Sequence, residues 1–303
     1  MLEVVLAGLS IRNPFMNASG ILGVASSTLG EVGRYAGAVV TKSCGTGERR
    51  GYANPTVIAF EGGLLNAMGL PNPGIDEFGK ELADYYRRCK TPVIGSVFGG
   101  SAREFAALSK KMASHGVQAI ELNLSCPHAK GYGTEIGAEP GNVASIVRAV
   151  KRTVKIPVFA KLTPNTHDFA ALARAAKRGG ADGVTAINTV KAMRIDVDLR
   201  KPILTSVYGG LSGKAILPIG VRCVHEAFAA TGGKLPILGA GGIESWRDAV
   251  EYLLAGASAV QLGTVLAHSS PKIIEEFCDG LRAYLKAEGF RDVGELVGAA
   301  HKA

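Results

Sequence analysis

Eight short apolar runs recur along the chain, each bounded by glycine, proline or polar residues: PFMNAS (14–19), AVVTKS (38–43), PVIGSVF (92–98), AIELNLS (119–125), PVFAKL (157–162), GVTAIN (183–188), PILGAG (236–241) and AVQLGT (259–264). Runs of this length, rich in Val, Ile and Phe, read as buried strands. Between them the apolar spacing switches to the helical period. Phe105, Leu108 and Met112 share one face of a helix that Ser101 and Glu104 can open with a capping box, and Ser245 with Asp248 repeats the arrangement. Thr166 is expected to cap another helix, with Phe169, Leu172 and Ala176 facing inward and the RGG at 178–180 ending it. The segments HGVQAIELN, GGADGVTAIN and AGASAVQLG each read as helix end, small turn and buried strand, so one unit is partly repeated.

Strands alternating with helices through right-handed crossovers predict an α/β fold, a (β/α)₈ barrel, with a doubly wound open sheet as the alternative. No shift in composition divides the chain, which is read as one domain over residues 1–303. The long connections 44–75, 126–141 and 189–215 all follow strand C-termini, the face on which barrel enzymes carry chemistry. The segment GLLNAMGLPNPG (63–74) is expected not to be a strand, because Gly and Pro interrupt it repeatedly.

Composition narrows the class. With 303 residues and 47% hydrophobic content the chain can bury a large core. Its apolar runs are too short for a membrane span, and the N-terminus lacks a signal-like basic and apolar region, so a cytoplasmic protein is expected. The five cysteines, Cys44, Cys89, Cys126, Cys223 and Cys278, show no C-x-x-C and no metal-ligand spacing, which argues against disulfides and a structural zinc. The net charge of +8 would suit nucleic acid, anionic cofactors or acidic small molecules, but no block of like charge singles out nucleic acid.

Candidate chemistry gathers at the strand ends. Cys126 follows the fourth strand on a Pro-interrupted loop, where a thiol can act as a general base if its surroundings are positive. The other four cysteines are read as small buried hydrophobes. Lys42 and Lys161 end two apolar strands, and such cations need either an anionic ligand or a core carboxylate such as Glu121. Backbone N–H groups around Met68, Gly69 and Leu70 could receive a carboxylate, with Asn66 adding an amide. Asn123, Asn188 and Thr189 offer further neutral hydrogen-bonding groups. GAGGI (239–243) after the seventh strand and LGT (262–264) after the eighth fall where barrels bind phosphate, on backbone N–H groups that glycine leaves accessible.

In order along nearly the whole chain, NASG, TKS, NAMGLPNPG, ELNLSCP, AKLTPN, AINTVKAMRIDVDLRKPIL, GGLSG, GAGGI and GASAVQLGT resemble the class 1 dihydroorotate dehydrogenases, within them the B subtype. The resemblance implies an FMN-binding barrel that oxidises dihydroorotate to orotate in pyrimidine synthesis. It implies Cys126 as the base at the substrate's C5 while hydride passes from C6 to flavin N5, with Lys161 stabilising the reduced flavin. Lys42, Asn66, Met68, Gly69, Leu70, Asn123, Asn188 and Thr189 would hold the pyrimidine and its carboxylate. Ser19, Lys42, Ser43, Asn123, Lys161, Ile187, Gly213, Gly241, Gly242, Gly263 and Thr264 would line the FMN. His128 and Ser96 replace asparagines that the family pattern carries. Residues 129–141, with four glycines and a proline, suggest a lid over the substrate.

Relatives of this subtype work with a second polypeptide carrying FAD and a [2Fe–2S] cluster, and the resemblance implies a homodimer able to form a heterotetramer with it. This chain itself has neither the cysteine cluster nor a G-x-G-x-x-G fingerprint. Neither a metal, nucleic acid nor a membrane is expected as a partner. The competing readings are another flavin oxidoreductase acting on dihydropyrimidines or on uridine in RNA, a flavin-free lyase or isomerase using Lys161 as a Schiff-base amine, and a non-catalytic binding barrel. The RNA reading sits poorly with the 39 residues after Thr264, too few for an added RNA-binding domain.

Overall fold

All eight apolar runs form strands, and they pair in parallel in a single sheet. The structure, a computed structural model, describes residues 1–124 and 134–302, without the side chains of residues 134 and 135. In chain order the strands are β1 (Phe15–Asn17), β2 (Val39–Val40), β3 (Val93–Val97), β4 (Ala119–Asn123), β5 (Val158–Lys161), β6 (Gly183–Ala186), β7 (Ile237–Ala240) and β8 (Ala259–Leu262). From β2 onward each pairs with the next, and β8 returns to β1 with Val260 opposite Phe15. The seam between β1 and β2 is closed by a side chain. Asn17 Oδ1 accepts from Val40 N–H at 2.8 Å, while its Nδ2 donates to the carbonyls of Val40 at 2.8 Å and Ile21 at 2.7 Å. An open sheet would leave β1 and β2 as opposite edges; here they meet, so the fold is the (β/α)₈ barrel.

Helices cover the outside of the strands: α1 (Ser26–Gly33), α2 (Ile75–Arg88), α3 (Ala102–Ser114), α4 (Pro140–Lys151), α5 (Phe169–Gly179), α6 (Leu217–Thr231), α7 (Trp246–Leu254) and α8 (Ile273–Ala287). Phe105, Leu108 and Met112 of α3 are buried as their spacing predicts. Ser101 caps α3, but the Glu104 carboxylate accepts from Gly100 N–H at 2.8 Å, one residue earlier than in a capping box. At α7 the Ser245–Asp248 box is complete. For α5 the cap is Asp168, whose side chain accepts from Ala171 N–H; Thr166, two residues before that cap, instead accepts from Asp168 N–H at 3.3 Å. An ionised carboxylate accepts the orphan N–H more strongly than a hydroxyl, and α5 starts where it can do so.

The two ends of the barrel differ. The N-terminal hairpin, Val4–Leu6 with Leu9–Ile11, plugs one end, and its Leu6 and Ile11 pack with Met16, Val40, Ile94, Phe159 and Leu238 inside. The opposite end carries an antiparallel sheet built from two of the long connections, in the order 190–192, 209–212, 63–66 and 57–60. Gly63–Asn66 is thus a strand, against expectation. It pairs on one side with Val57–Phe60 in a hairpin and on the other with residues 209–212, where a Cβ on Gly63 would sit 2.0 Å from Ser212 O, so pairing on both edges overrides the Gly/Pro signal. Cys44, Cys223 and Cys278 are buried and Cys89 half-buried, with no disulfide among them. Burial pushes the thiols of Cys44 and Cys223 up to about 12 and that of Cys278 to about 11, as fits packing groups. Among the described residues no helix is long and apolar enough to cross a membrane.

Candidate active site

Side chains alternate between the inside and outside of a strand, so each strand contributes residues to the barrel interior at successive levels. The lowest level, above the hairpin plug, is apolar and includes Met16, Ile94, Phe159 and Leu238. One step up, Glu121 of β4, Lys161 of β5, Thr185 of β6 and Gln261 of β8 form a buried polar level. Above it, at the C-terminal ends of the strands and beneath the antiparallel sheet, lies a cavity of about 400 Å³.

The cavity wall brings together most of the residues singled out from the sequence. Lys42, Asn66, Met68, Gly69, Leu70, Asn123, Asn188 and Thr189 line it, and so do Ser19, Ser43, Lys161, Ile187, Gly213, Gly241, Gly242, Gly263 and Thr264. Cys126 and His128 lie outside the described residues. So do residues 129–133 of the expected lid, whose later part forms the helix Thr134–Gly137 and the start of α4.

A chain of short polar contacts runs around one side. Ser19 Oγ donates to Thr41 O at 2.9 Å and lies 3.1 Å from Ser43 Oγ, which also accepts from Asn123 Nδ2 at 3.0 Å. Ser96 is fully buried behind this chain, 2.9 Å from Ser43 Oγ. Asn188 Nδ2 donates to Asn123 Oδ1 at 3.4 Å, and Asn188 Oδ1 accepts from Thr189 N–H at 2.8 Å. The asparagine amides are therefore held in fixed orientations by their protein partners.

Backbone orientation matters as much as side chains at the rim. Met68 O accepts from Tyr52 N–H and Gly69 O from Arg49 Nε, at 3.1 and 2.7 Å. Because each peptide is planar and trans, these bonds turn the N–H groups of Gly69 and Leu70 the other way. After β7, Tyr252 Oη donates to Gly241 O at 2.7 Å, which turns Gly242 N–H likewise. Asp248 ties this turn to its neighbour: its Oδ2 accepts from Glu244 and Ser245 N–H at 2.9 Å each, and its Oδ1 accepts from Lys214 Nζ at 2.5 Å, next to Gly213.

Lys161 meets the core carboxylate Glu121 and also reaches the cavity. It lines the cavity and yet is only 5% exposed, donating to Gln261 Oε1 at 2.9 Å and lying 3.7 Å from Glu121 Oε1. The Glu121 Oε2 atom accepts from Gln261 Nε2 at 2.6 Å and from Thr185 Oγ1 at 2.9 Å. Gln261, Thr185 and Asp248 were not singled out as site residues. A glutamine inside AVQLG and a glutamate inside AIELN, each a polar residue within an apolar strand, were the available signal.

A sequence model of the dihydroorotate dehydrogenase family matches residues 1–285. Curated relatives named dihydroorotate dehydrogenase B (NAD(+)), catalytic subunit, are similar over their full length. The Pyrococcus horikoshii protein is 50% identical over 303 residues, covering 100% of this chain and 98% of its own. The Thermoplasma volcanium protein is 49% identical, with 99% of each chain covered. The Methanocaldococcus jannaschii protein is 46% identical, covering 100% of this chain and 99% of its own. With the family model spanning residues 1–285 and these relatives 46–50% identical over nearly their whole length, the chain belongs to the dihydroorotate dehydrogenase family, in its class 1 B subtype.

Proposed function

We propose that residues 1–303 act as one FMN-binding catalytic domain that oxidises dihydroorotate to orotate in de novo pyrimidine biosynthesis, in the cytoplasm. The observation that carries this reading is the meeting of two strand-end lysines, Lys42 and Lys161, with Asn66, Asn123 and Asn188 and the glycine turns in one cavity. Two cations among neutral amides suit a small planar acid together with a phosphate-bearing ring system, and suit them better than an uncharged ligand.

The donors fit FMN. Gly241 and Gly242, Gly213, Gly263 and Thr264 lie together at the ends of β7 and β8 and the start of α6, where a phosphate would find backbone N–H groups and one hydroxyl. Ser19, Lys42, Ser43, Asn123, Lys161 and Ile187 would hold its ring. Bound FMN supplies the hydride acceptor and a visible chromophore. Lys161, a buried ammonium, would stabilise the negative charge that the ring gains on reduction.

Substrate would rest on Asn66, Asn123, Asn188 and Thr189, whose amides and hydroxyl match a pyrimidine edge. Its carboxylate would take the N–H groups of Gly69 and Leu70 beside Met68, with Lys42 supplying the charge. Cys126, by the family pattern, would accept the proton from C5. The antiparallel sheet roofs the cavity and limits water, which strengthens each of these interactions. The Schiff-base alternative is poorly served, because Lys161 is only 5% exposed and its Nζ is held on Gln261 Oε1 at 2.9 Å.

The NAD(+) designation and the words catalytic subunit in the relatives' names support a partner for this chain. With no dinucleotide fingerprint here, a second polypeptide carrying FAD and a [2Fe–2S] cluster would pass electrons to NAD⁺, on a homodimer of this chain that becomes a heterotetramer. The test is anaerobic addition of dihydroorotate to the purified chain. Bleaching of the flavin spectrum with stoichiometric orotate supports the reading. A colourless chain, or a yellow one that dihydroorotate leaves unchanged, refutes it.

A further inference from the structure

Glu121 is the anomaly of the barrel interior. Its side chain is 0% exposed, and the level beneath it is wholly apolar, so a hydrophobic residue would be the less costly occupant. Its two oxygens are treated differently. Oε2 accepts from both Gln261 Nε2 and Thr185 Oγ1, whereas Oε1 has no hydrogen-bond partner among the described residues and lies 3.7 Å from Lys161 Nζ.

The amide of Gln261 stands between an anion and a cation. Only one of its two orientations gives both neighbours a proper partner: Nε2 towards Glu121 and Oε1 towards Lys161. Glu121 therefore dictates which way Gln261 points, and Gln261 in turn presents an acceptor that fixes the ammonium at the cavity floor. At 3.7 Å the direct Glu121–Lys161 attraction is ionic without the directional hold of a hydrogen bond, which leaves the ammonium able to donate towards the cavity.

We propose that Glu121, whose charge is moderated by the Thr185 hydroxyl, is a positioning residue that acts through Gln261 to set the place and the effective charge of Lys161 at the cavity floor. The proposal rests on the flavin reading above. Its consequence is electrostatic and has a sign. A carboxylate behind the ammonium reduces the positive field in the cavity. Neutralising it raises that field, and withdrawing a hydrogen bond from it concentrates its negative charge and lowers the field.

Two nearly isosteric variants test this with readouts other than turnover. For each flavin-loaded chain the two-electron midpoint potential and the affinity for sulfite, an anion that adds to electron-poor flavins, are measured. Glu121→Gln should shift the potential upward and bind sulfite about tenfold more tightly. Thr185→Val should shift both in the opposite direction, by a smaller factor. Opposite signs from neighbouring buried residues are not expected of groups that only hold the barrel together. Unchanged values in both variants, or shifts of the same sign, overturn the assignment while leaving the flavin reading intact. A wild-type chain that takes up no flavin overturns both. Should Glu121→Gln fail to fold, Thr185→Val decides alone, since an unshifted potential there contradicts the proposal.

Discussion

Asp248 is the residue through which stability and cofactor retention should fail together. It lies at the third position of α7, and one carboxylate serves three partners: Lys214 Nζ at 2.5 Å and the N–H groups of Glu244 and Ser245 at 2.9 Å each. Asp248→Asn keeps the shape but leaves a single acceptor oxygen. Losing the capping box costs about 1 kcal/mol. The Lys214 pair contributes up to about 1 kcal/mol, since the lysine is 46% exposed and partly screened. Turning an amide NH₂ towards a backbone donor leaves that N–H unpaired, for about 1 kcal/mol more. Because the one remaining acceptor still serves either Lys214 or the backbone donors, these losses do not all occur together, and about 1–2 kcal/mol is the upper limit on what FMN binding must restore if the turn loosens, equivalent to roughly a 5- to 30-fold rise in its Kd. The pH dependence adds a second signature. Burial alone would raise the Asp248 carboxyl, but the Lys214 ammonium and the surrounding donors outweigh it and hold it below the usual carboxylate range. A lowered folded-state value means that the stabilisation is complete above the unfolded value and disappears as pH falls through the folded one. The gap between wild type and Asp248→Asn should therefore be widest near neutrality and close below about pH 4. Equilibrium FMN titration and urea denaturation across pH measure both. An FMN affinity within twofold of wild type, together with a gap that stays constant into acid, would refute the reasoning.

Other perturbations separate the remaining parts of the site. Lys161→Met should cost about 3–5 kcal/mol in urea denaturation because it orphans the buried Glu121, and adding Glu121→Gln should recover part of that loss; strictly additive effects would contradict the coupling. Gly69→Ala should weaken orotate binding at least tenfold with FMN affinity unchanged, since Gly69 has φ +73° and its Cβ would meet Tyr52 N at 2.8 Å; equal orotate titrations would remove that turn from the site. Cys126→Ser should keep FMN bound while flavin reduction by dihydroorotate at neutral pH falls at least a hundredfold, a hydroxyl being the far poorer base; single-turnover reduction at the wild-type rate would exclude the thiol from that role.

The barrel was legible because its signal is local. Each run such as AVVTKS or PILGAG is short, apolar and stopped by polar or glycine residues, and eight of them separated by helical spacing leave few architectures. The strand-end lysines and the glycines of GAGGI and LGT could be located for the same reason, since barrel topology sends every strand end to one face. Cap positions were less legible. Thr166 and Asp168 are both competent acceptors, and the choice depends on where α5 begins against the barrel.

The chain's own order of apolar and polar residues determined eight strands alternating with helices and the face that carries the candidate site, because both follow from periodicity and connectivity. Tertiary structure alone decided how that face is finished. Gly63–Asn66 pairs locally with Val57–Phe60 but is set into the roof sheet by residues 209–212, which lie far away in sequence and pack too close for a side chain at Gly63. Asn17 closes the barrel through Val40. The Glu121–Gln261–Lys161 network draws on β4, β5 and β8, three strands separated by up to 140 residues. Such contacts depend on distances of about 3 Å between residues that have no local relation, which is information that a one-dimensional pattern does not hold.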